Sequence, residues 1–353
     1  MKVSMIGLDL AKNVFQVHGV DAAGSVVLRK RLRRGQVERF FATLAPAVVG
    51  MEACGGAHYW ARVLQELGHE VRLMAPAYVK PYVKRNKTDG RDAEAICEAM
   101  QRPSMRFLGF QTGLGAWAGN PRMAVKSPAQ QAVLAVHRIR ELLVRQRTMA
   151  ANALRAAFAE FGVVAPQGVK GMRELMAQLP APAAIPAPAH AALASLARHW
   201  QALDADIAAL EREIVGTTRI DPAARRLMAI PGIGPIVASA VLATLPEAKA
   251  FRSGRGFAAW LGLTPRQNNS AARRRSGGIS KQGQRSLRTL LILGASAHLR
   301  HERVRPRDPW LAGLLARRPV KVAAVARAAK TARIVWALLA KDQDDRASGA
   351  QAA

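Results

Sequence analysis

Four acidic side chains stand apart in a strongly basic chain: Asp9, Glu52, Asp89 and Asp92. Asp9 closes the apolar run Met5-Ile6-Gly7-Leu8-Asp9, and Glu52 closes Ala47-Val48-Val49-Gly50-Met51-Glu52. Asp89 and Asp92 stand three apart at the head of a helical segment, so they face the same way. Hard divalent ions prefer oxygen donors and are often held by few carboxylates alongside substrate phosphate. Two such ions can stabilise both the attacking and the leaving oxygen of a phosphodiester displacement. Carboxylates gathered on strand ends of a cationic protein therefore point to Mg²⁺ (or Mn²⁺) acting on a polyanion. Singly, each acid has a plainer alternative, with Asp89 capping its helix and Asp9 and Glu52 lying beside turns. The set is what favours a metal centre, with Lys80, Lys84, Arg85, Lys87 and Arg91 crowding one side of it.

Two other constellations bear on phosphate. Ile230-Pro231-Gly232-Ile233-Gly234-Pro235 links two helical segments and resembles a helix-hairpin-helix. In that motif backbone N–H groups at a helix start, here around Gly232 and Gly234, grip a phosphate without reading bases. The alternative is an ordinary tight turn. Between Glu247 and Glu302 there are eleven Lys and Arg and no acid. That stretch holds Arg266, Arg273, Arg274, Arg275 and Lys281 around Ser270, Ser276 and Ser280. A hydroxyl among guanidinium groups is placed where an oxygen attacking a phosphodiester would be stabilised. The alternative is a solvated basic loop. No histidine adjoins these serines in sequence, so activation would come from metal, arginine or a distant base.

The composition fits these readings. Lys and Arg number 53 against 24 Asp and Glu, for a formal net charge of +29 over 353 residues. Such an imbalance calls for a polyanionic partner, and nucleic acid is the foremost one because phosphate contacts release condensed counterions. A non-catalytic nucleic-acid-binding protein would share the charge. No apolar run is long enough to span a bilayer, and Asp9 and Lys12 interrupt any signal-peptide pattern. The two cysteines, Cys54 and Cys97, suit a reducing compartment and make neither a disulfide framework nor a zinc cluster. These features predict a cytoplasmic protein.

The elements that must position these residues are legible in outline. Strands are predicted over Val3–Leu10, Phe15–Val20, Val26–Leu32, Ala47–Glu52 and Val71–Met74, with helices over Gln36–Leu44 and His58–Leu67. Three strands, a helix, a strand, a helix and a strand is the order of a ribonuclease H-type mixed sheet. A glycine-rich stretch, 107–127, reads as irregular loop. Helices follow over about Pro128–Phe161 and Ala189–Val215, joined by a proline-rich connector. The second carries Leu193, Leu196, Trp200, Leu203, Ile207, Leu210 and Ile214 in alternating steps of three and four, a coiled-coil seam. An antiparallel hairpin or a dimerisation arm would both fit. From Asp221 onward the chain reads as mainly helical, ending in Val320–Leu339. The predicted class is α/β plus α: residues 1–127 catalytic, 128–216 long helices, 217–341 a C-terminal domain, and 342–353 a tail.

Together these segments resemble the DEDD transposases of bacterial insertion sequences, a group that includes the Piv-type DNA invertases and the bridge-RNA-guided recombinases. The resemblance rests on Gly7-Leu8-Asp9-Leu10-Ala11-Lys12, Met51-Glu52-Ala53-Cys54-Gly55, Asn86-Lys87-Thr88-Asp89-Gly90-Arg91-Asp92-Ala93, Pro231-Gly232-Ile233-Gly234-Pro235, Leu261-Gly262-Leu263-Thr264-Pro265-Arg266 and Gly278-Ile279-Ser280-Lys281. It implies a RuvC-like N-terminal domain, a coiled-coil insertion and a C-terminal transposase domain. It also implies that Asp9, Glu52, Asp89 and Asp92 bind metal, and that a C-terminal serine forms a covalent link to a DNA end. The family serine usually precedes glycine after Gln or Ser, whereas here the place reads Asn269-Ser270-Ala271. Ser270 is the first choice, with Ser280 or Ser276 in reserve. The stretch from about Phe107 to Met123 looks longer than the family pattern. The implied partners are DNA, an element-encoded guide RNA and further copies of the chain, as a dimer or tetramer, at the nucleoid. Competing readings are a junction endonuclease of the same fold, which needs no serine, and an actin-like ATPase. The phosphate loops of such ATPases place Gly and Thr or Ser just after that Asp, whereas Leu10-Ala11-Lys12-Asn13 offers neither.

Overall fold

A computed structural model describes residues 2–83, 89–102, 107–108, 125–177, 185–245, 248–270, 273–304 and 308–341. The chain forms two compact units, Met1–Pro128 with Leu245–Ala353, and Ala129–Thr244.

The N-terminal segment is a mixed sheet with helices. Strands β1 (Met5–Asp9), β2 (Val14–Val20) and β3 (Val26–Arg33) run antiparallel in succession, followed by α1 (Val37–Ala42). Strand β4 (Val48–Glu52) pairs parallel to β1. After α2 (Ala57–Glu66), β5 (Glu70–Met74) pairs parallel to β4. The one-turn α3 (Pro76–Val79) and α4 (Asp89–Met100) precede β6 (Phe107–Leu108), a two-residue strand antiparallel to β5. The sheet order is β3-β2-β1-β4-β5-β6. Both faces are covered, which is why β1 and β4 read as continuous apolar runs rather than alternating ones. On one face Ile6, Leu8, Val49, Met51, Val71 and Leu73 pack with Phe41 of α1 and Trp60 and Leu64 of α2. On the other, Met5 and Val48 join Met74, Val79, Ala95, Ile96, Ala99 and Met100. The edge strand β3 carries exposed Arg29, Lys30, Arg31 and Arg33, charges that discourage pairing with another sheet.

The second unit is helical: α5 (Pro128–Ala159), α6 (Gly168–Ala177), α7 (Ala187–Ile220), α8 (Pro222–Met228) and α9 (Pro235–Thr244). Helices α5 and α7 lie antiparallel, tied by Arg140 to Glu211 and by Arg147 to Asp204, each at 2.5 Å. Leu154 and Phe158 share a core with Leu193, Ala197 and Trp200. Leu193, Trp200, Leu203, Ile207 and Ile214 of the anticipated seam are buried, but Leu196 and Leu210 are only half-buried and Ala197 takes a buried place. A helix of 3.6 residues per turn drifts away from a strict 3.5-residue repeat. Helix α6, which no periodic signal announced, completes the core with Met172 and Leu175. Asp221 caps α8, its carboxylate accepting from the N–H groups of Ala223 and Ala224 at 2.8 and 3.2 Å.

The C-terminal segment comprises α10 (Gly254–Trp260), β7 (Pro265–Ser270), β8 (Arg273–Ile279), α11 (Arg285–Val304), α12 (Pro309–Leu315) and α13 (Val320–Lys341). Within the acid-free stretch, in a region expected to be mainly helical, β7 and β8 form a two-stranded antiparallel ribbon flanked by α10 and α11. Its polar composition carries no apolar alternation, so nothing in the hydrophobic pattern marks it as strand. Along α13, Ala324, Ala328 and Ala332 present small buried side chains, and a Cβ on Gly254 of α10 would lie 3.0 Å from the Arg333 Cα. The Trp336 indole N–H reaches the Ala248 and Phe251 carbonyls at 3.1 Å.

Candidate active site

Parallel pairing sets Leu8 opposite Met51, so the next residues, Asp9 and Glu52, end neighbouring strands side by side. Their facing follows from the glycines two positions earlier. A Cβ on Gly7 would run into the Ala93 carbonyl oxygen and lie 2.7 Å from Cys97 N, while one on Gly50 would strike the Met100 thioether. Helix α4 therefore crosses this face with Ala93 and Cys97 over β1 and Met100 over β4. Side chains two apart on a strand share a face, so Asp9 and Glu52 belong to the α4 side. Asp92 immediately precedes Ala93, at the β1 end of the helix, and Asp9, Glu52 and Asp92 are all half-buried. Asp89 is the first residue of α4, and only its backbone is described. Lys84, Arg85 and Lys87 lie outside the described residues.

Cys54 supports the closeness of the two strand-end acids. This exposed thiol is pushed up in pKa by partial desolvation, then by the negative charges of Glu52 and Asp9. Cys97, on the sheet-facing side of α4, is pushed up to about 11 chiefly by burial, so it packs as a neutral thiol. Among the described residues no three His, Cys, Asp or Glu side chains stand close enough to hold a metal ion. What the strand register does bring side by side is two carboxylates, Asp9 and Glu52, hard oxygen donors of the kind magnesium takes.

The basic ribbon separates the three candidate serines. Ser270 and Arg273 form its closing pair, Ser276 stands opposite Gln267 in mid-ribbon, and Ser280 follows the last β8 residue at the base. The side chains of Ser270, Arg273, Arg274, Arg275 and Ser276 are not among those described. The base is tightly built. The Ser280 N–H donates to Thr264 O at 2.9 Å, and Lys281 N–H to Gly262 O at 3.1 Å. Gly262, Lys281 and Gly283 all adopt positive φ, at 71°, 57° and 75°. A Cβ on Gly262 would sit 2.6 Å from Gln282 N, which leaves that position to glycine. Arg288, buried in α11, holds the arrangement by donating Nη1 to Leu261 O at 2.8 Å and to Gln282 O at 2.9 Å. Burial and the nearby Arg285 charge lower its pKa. Sequence reasoning missed Arg288, because one arginine among eleven basic residues carries no signal of its burial. Arg266 is exposed and reaches Ser280 O only at 3.5 Å.

Between α8 and α9, Gly232 takes φ 91° and Ile233 N–H closes on Ile230 O at 2.9 Å, while Gly234 is exposed with open space around it.

The mixed sheet thus carries two carboxylates on adjacent strand ends, and the C-terminal segment an acid-free cationic ribbon. Comparison with known families supplies the class of protein. Residues 6–112 match a family model described as transposase (the DEDD, IS110 type), and residues 224–310 match one described as Transposase IS116/IS110/IS902 family. A probable family 20 transposase of Pseudomonas aeruginosa is 52% identical, over 97% of this chain and 98% of the relative. The transposase for insertion sequence element IS1328 of Yersinia enterocolitica is 40% identical over 95% of this chain and 96% of its own. The transposase for insertion sequence element IS1111A of Coxiella burnetii is 36% identical over 98% and 92%. The chain belongs to the IS110/IS116/IS902 family of insertion-sequence transposases. No described helix is long and apolar enough to cross a membrane.

Proposed function

We propose that this transposase cuts and rejoins the DNA of its own element at a centre formed by Asp9, Glu52, Asp89 and Asp92, with Ser270 as nucleophile. The observation that carries the reading is the placement of Asp9 and Glu52 on adjacent strand ends, on the face crossed by the start of α4. The sheet order agrees with a RuvC-like, ribonuclease H-type domain. Divalent ions held by these carboxylates would stabilise charge on the attacking and leaving oxygens. The chain's own residues do the rest. The Ser270 oxygen bonds to phosphorus as its proton passes to a base. The phosphorus–oxygen bond to the leaving sugar breaks, and that oxygen takes a proton. An incoming sugar hydroxyl later displaces the serine and restores a phosphodiester. Arg266, Arg273, Arg274, Arg275 and Lys281 neutralise phosphate along the ribbon. Lys84, Arg85 and Lys87, which precede α4 in the sequence, do so as well, and the Gly232–Gly234 turn grips the backbone. A guide RNA selects the DNA, and two or four copies assemble so that ribbon and acids meet.

The test is excision and circle formation with Asp9→Asn, Glu52→Gln and Ser270→Ala, each checked for folding by circular dichroism. The acid variants should be folded and inactive. Ser270→Ala should also lose the covalent protein–DNA adduct seen on denaturing gels. Normal circles from either acid variant would refute the metal centre, and loss of the adduct in Ser280→Ala instead would move the nucleophile to the ribbon base.

A further inference from the structure

The C-terminal helices carry a groove that neither the acid centre nor the ribbon uses. Trp310, near the start of α12, is 39% exposed, although an indole is a costly side chain to leave in water. It lines a cavity of about 490 Å³ with Lys330, Arg333, Ile334 and Ala337. The last four are spaced i, i+3, i+4 and i+7 along α13, so they form one stripe beside the indole. The Lys330 ammonium sits 4.4 Å from the centre of the Trp310 ring and 3.7 Å from the Asp308 carboxylate. Arg333 is exposed and donates only its Nε, to Ala329 O at 3.3 Å. Among the described residues its two terminal nitrogens meet no protein acceptor.

We propose that this groove binds an unpaired nucleobase, stacked against Trp310 over Ile334 and Ala337, with its phosphate on the Arg333 fork. An aromatic platform beside a free guanidinium, here Arg333, is how sequence-tolerant single-strand sites are built. The charge agrees: residues 308–341 contain seven Lys and Arg and one acid, Asp308, which is already engaged by Lys330 and by Arg327. A duplex hides its base faces, so the groove distinguishes a single strand from a double one. The ligand is a frayed or displaced DNA strand, or an unpaired segment of RNA. The proposal rests on the protein acting on nucleic acid but not on the metal centre or the serine.

The experiment uses the full-length protein and fluorescein-labelled 15-nucleotide single strands of DNA and of RNA, with the matching duplex as reference. Trp310→Ala should weaken single-strand binding about 5- to 100-fold, the range for loss of one stacked base, and leave duplex binding unchanged. Trp310→Phe should restore most of it, and Arg333→Gln should weaken it and flatten its salt dependence. A 5-bromouracil-substituted strand should photocross-link to the Trp310 peptide of the wild-type protein, a readout needing no variant. The larger loss, on DNA or on RNA, identifies the source of the strand. Unchanged single-strand affinity in Trp310→Ala, equal losses on single strand and duplex, or cross-links confined to other peptides would overturn the proposal. A change only in oligomeric state by light scattering would also overturn it and make the groove an interface between copies. The binding and cross-linking are measured with EDTA present, which keeps divalent ions from the acid centre, so failure of the metal centre and failure of this site are read separately.

Discussion

Gly7→Ala tests the arrangement of the acids most directly, because it alters none of them. Gly7 lies in β1 without a positive φ, so alanine suits its backbone and the effect is one of space. The added Cβ would stand 2.7 Å from Cys97 N, short of ordinary contact by about 0.7 Å, and closer still to the Ala93 carbonyl oxygen. Both partners are backbone atoms of α4, so no side chain can swing aside and the helix itself must retreat. Overpacking of this kind costs about 1–3 kcal/mol. A domain stable by roughly 5–15 kcal/mol would still be almost entirely folded. The helix that moves carries Asp92 and Asp89 away from Asp9 and Glu52, and a misplacement of about 1 Å can reduce turnover about 100-fold. Activity should therefore fall far more than the folded population does. Circle formation at matched protein concentration, with urea unfolding of the same samples, measures both. Gly35→Ala, where nothing lies within 4 Å of the new methyl, is the control and should change neither. Wild-type activity in Gly7→Ala, or a loss that merely tracks unfolding, would show that the start of α4 does not set the geometry of the acids.

The sequence was most legible where one physical rule acted alone. Strands β1 and β4 are buried on both faces, so their apolar runs and terminal acids could be read directly. That Asp9 and Glu52 share a face was not legible, because it depends on the parallel register and on two glycines admitting α4. The ribbon carrying Ser270 was invisible for the opposite reason. Its strands are held by backbone pairing and by a buried arginine at the base, and neither leaves a periodic trace. On α7 five of the seven seam positions are buried, but a repeat cannot say whether its partner lies in the same chain. The ion pairs from Arg140 to Glu211 and from Arg147 to Asp204 supply that answer. Residue types are read directly from a sequence, whereas the side-by-side placement of Asp9 and Glu52 depends on strand register.

Two further outcomes follow from Arg288, which is buried, and from His137, which is half-buried. Arg288→Met should leave the Leu261 and Gln282 carbonyls without their charged donor, lowering stability by about 2–3 kcal/mol, with Arg288→Lys recovering part of it. Equal urea midpoints for wild type and Arg288→Met would show that the turn holds without the arginine. His137, whose Nε2 lies 3.0 Å from the Ser239 hydroxyl, has its pKa lowered from 6.5 to about 4, first by burial and then by the Arg140 charge. The folded protein thus keeps this imidazole neutral at pH values where the unfolded chain protonates it. Stability should be constant for this group above pH 6.5 and fall towards pH 4, by up to about 1.4 kcal/mol per unit for one proton. His137→Gln removes the titrating group, so its urea midpoint should decline less steeply over that interval than the wild type's. Parallel declines would mean that His137 is protonated as readily inside the helical unit as in water, and that its burial between α5 and α9 carries no electrostatic consequence.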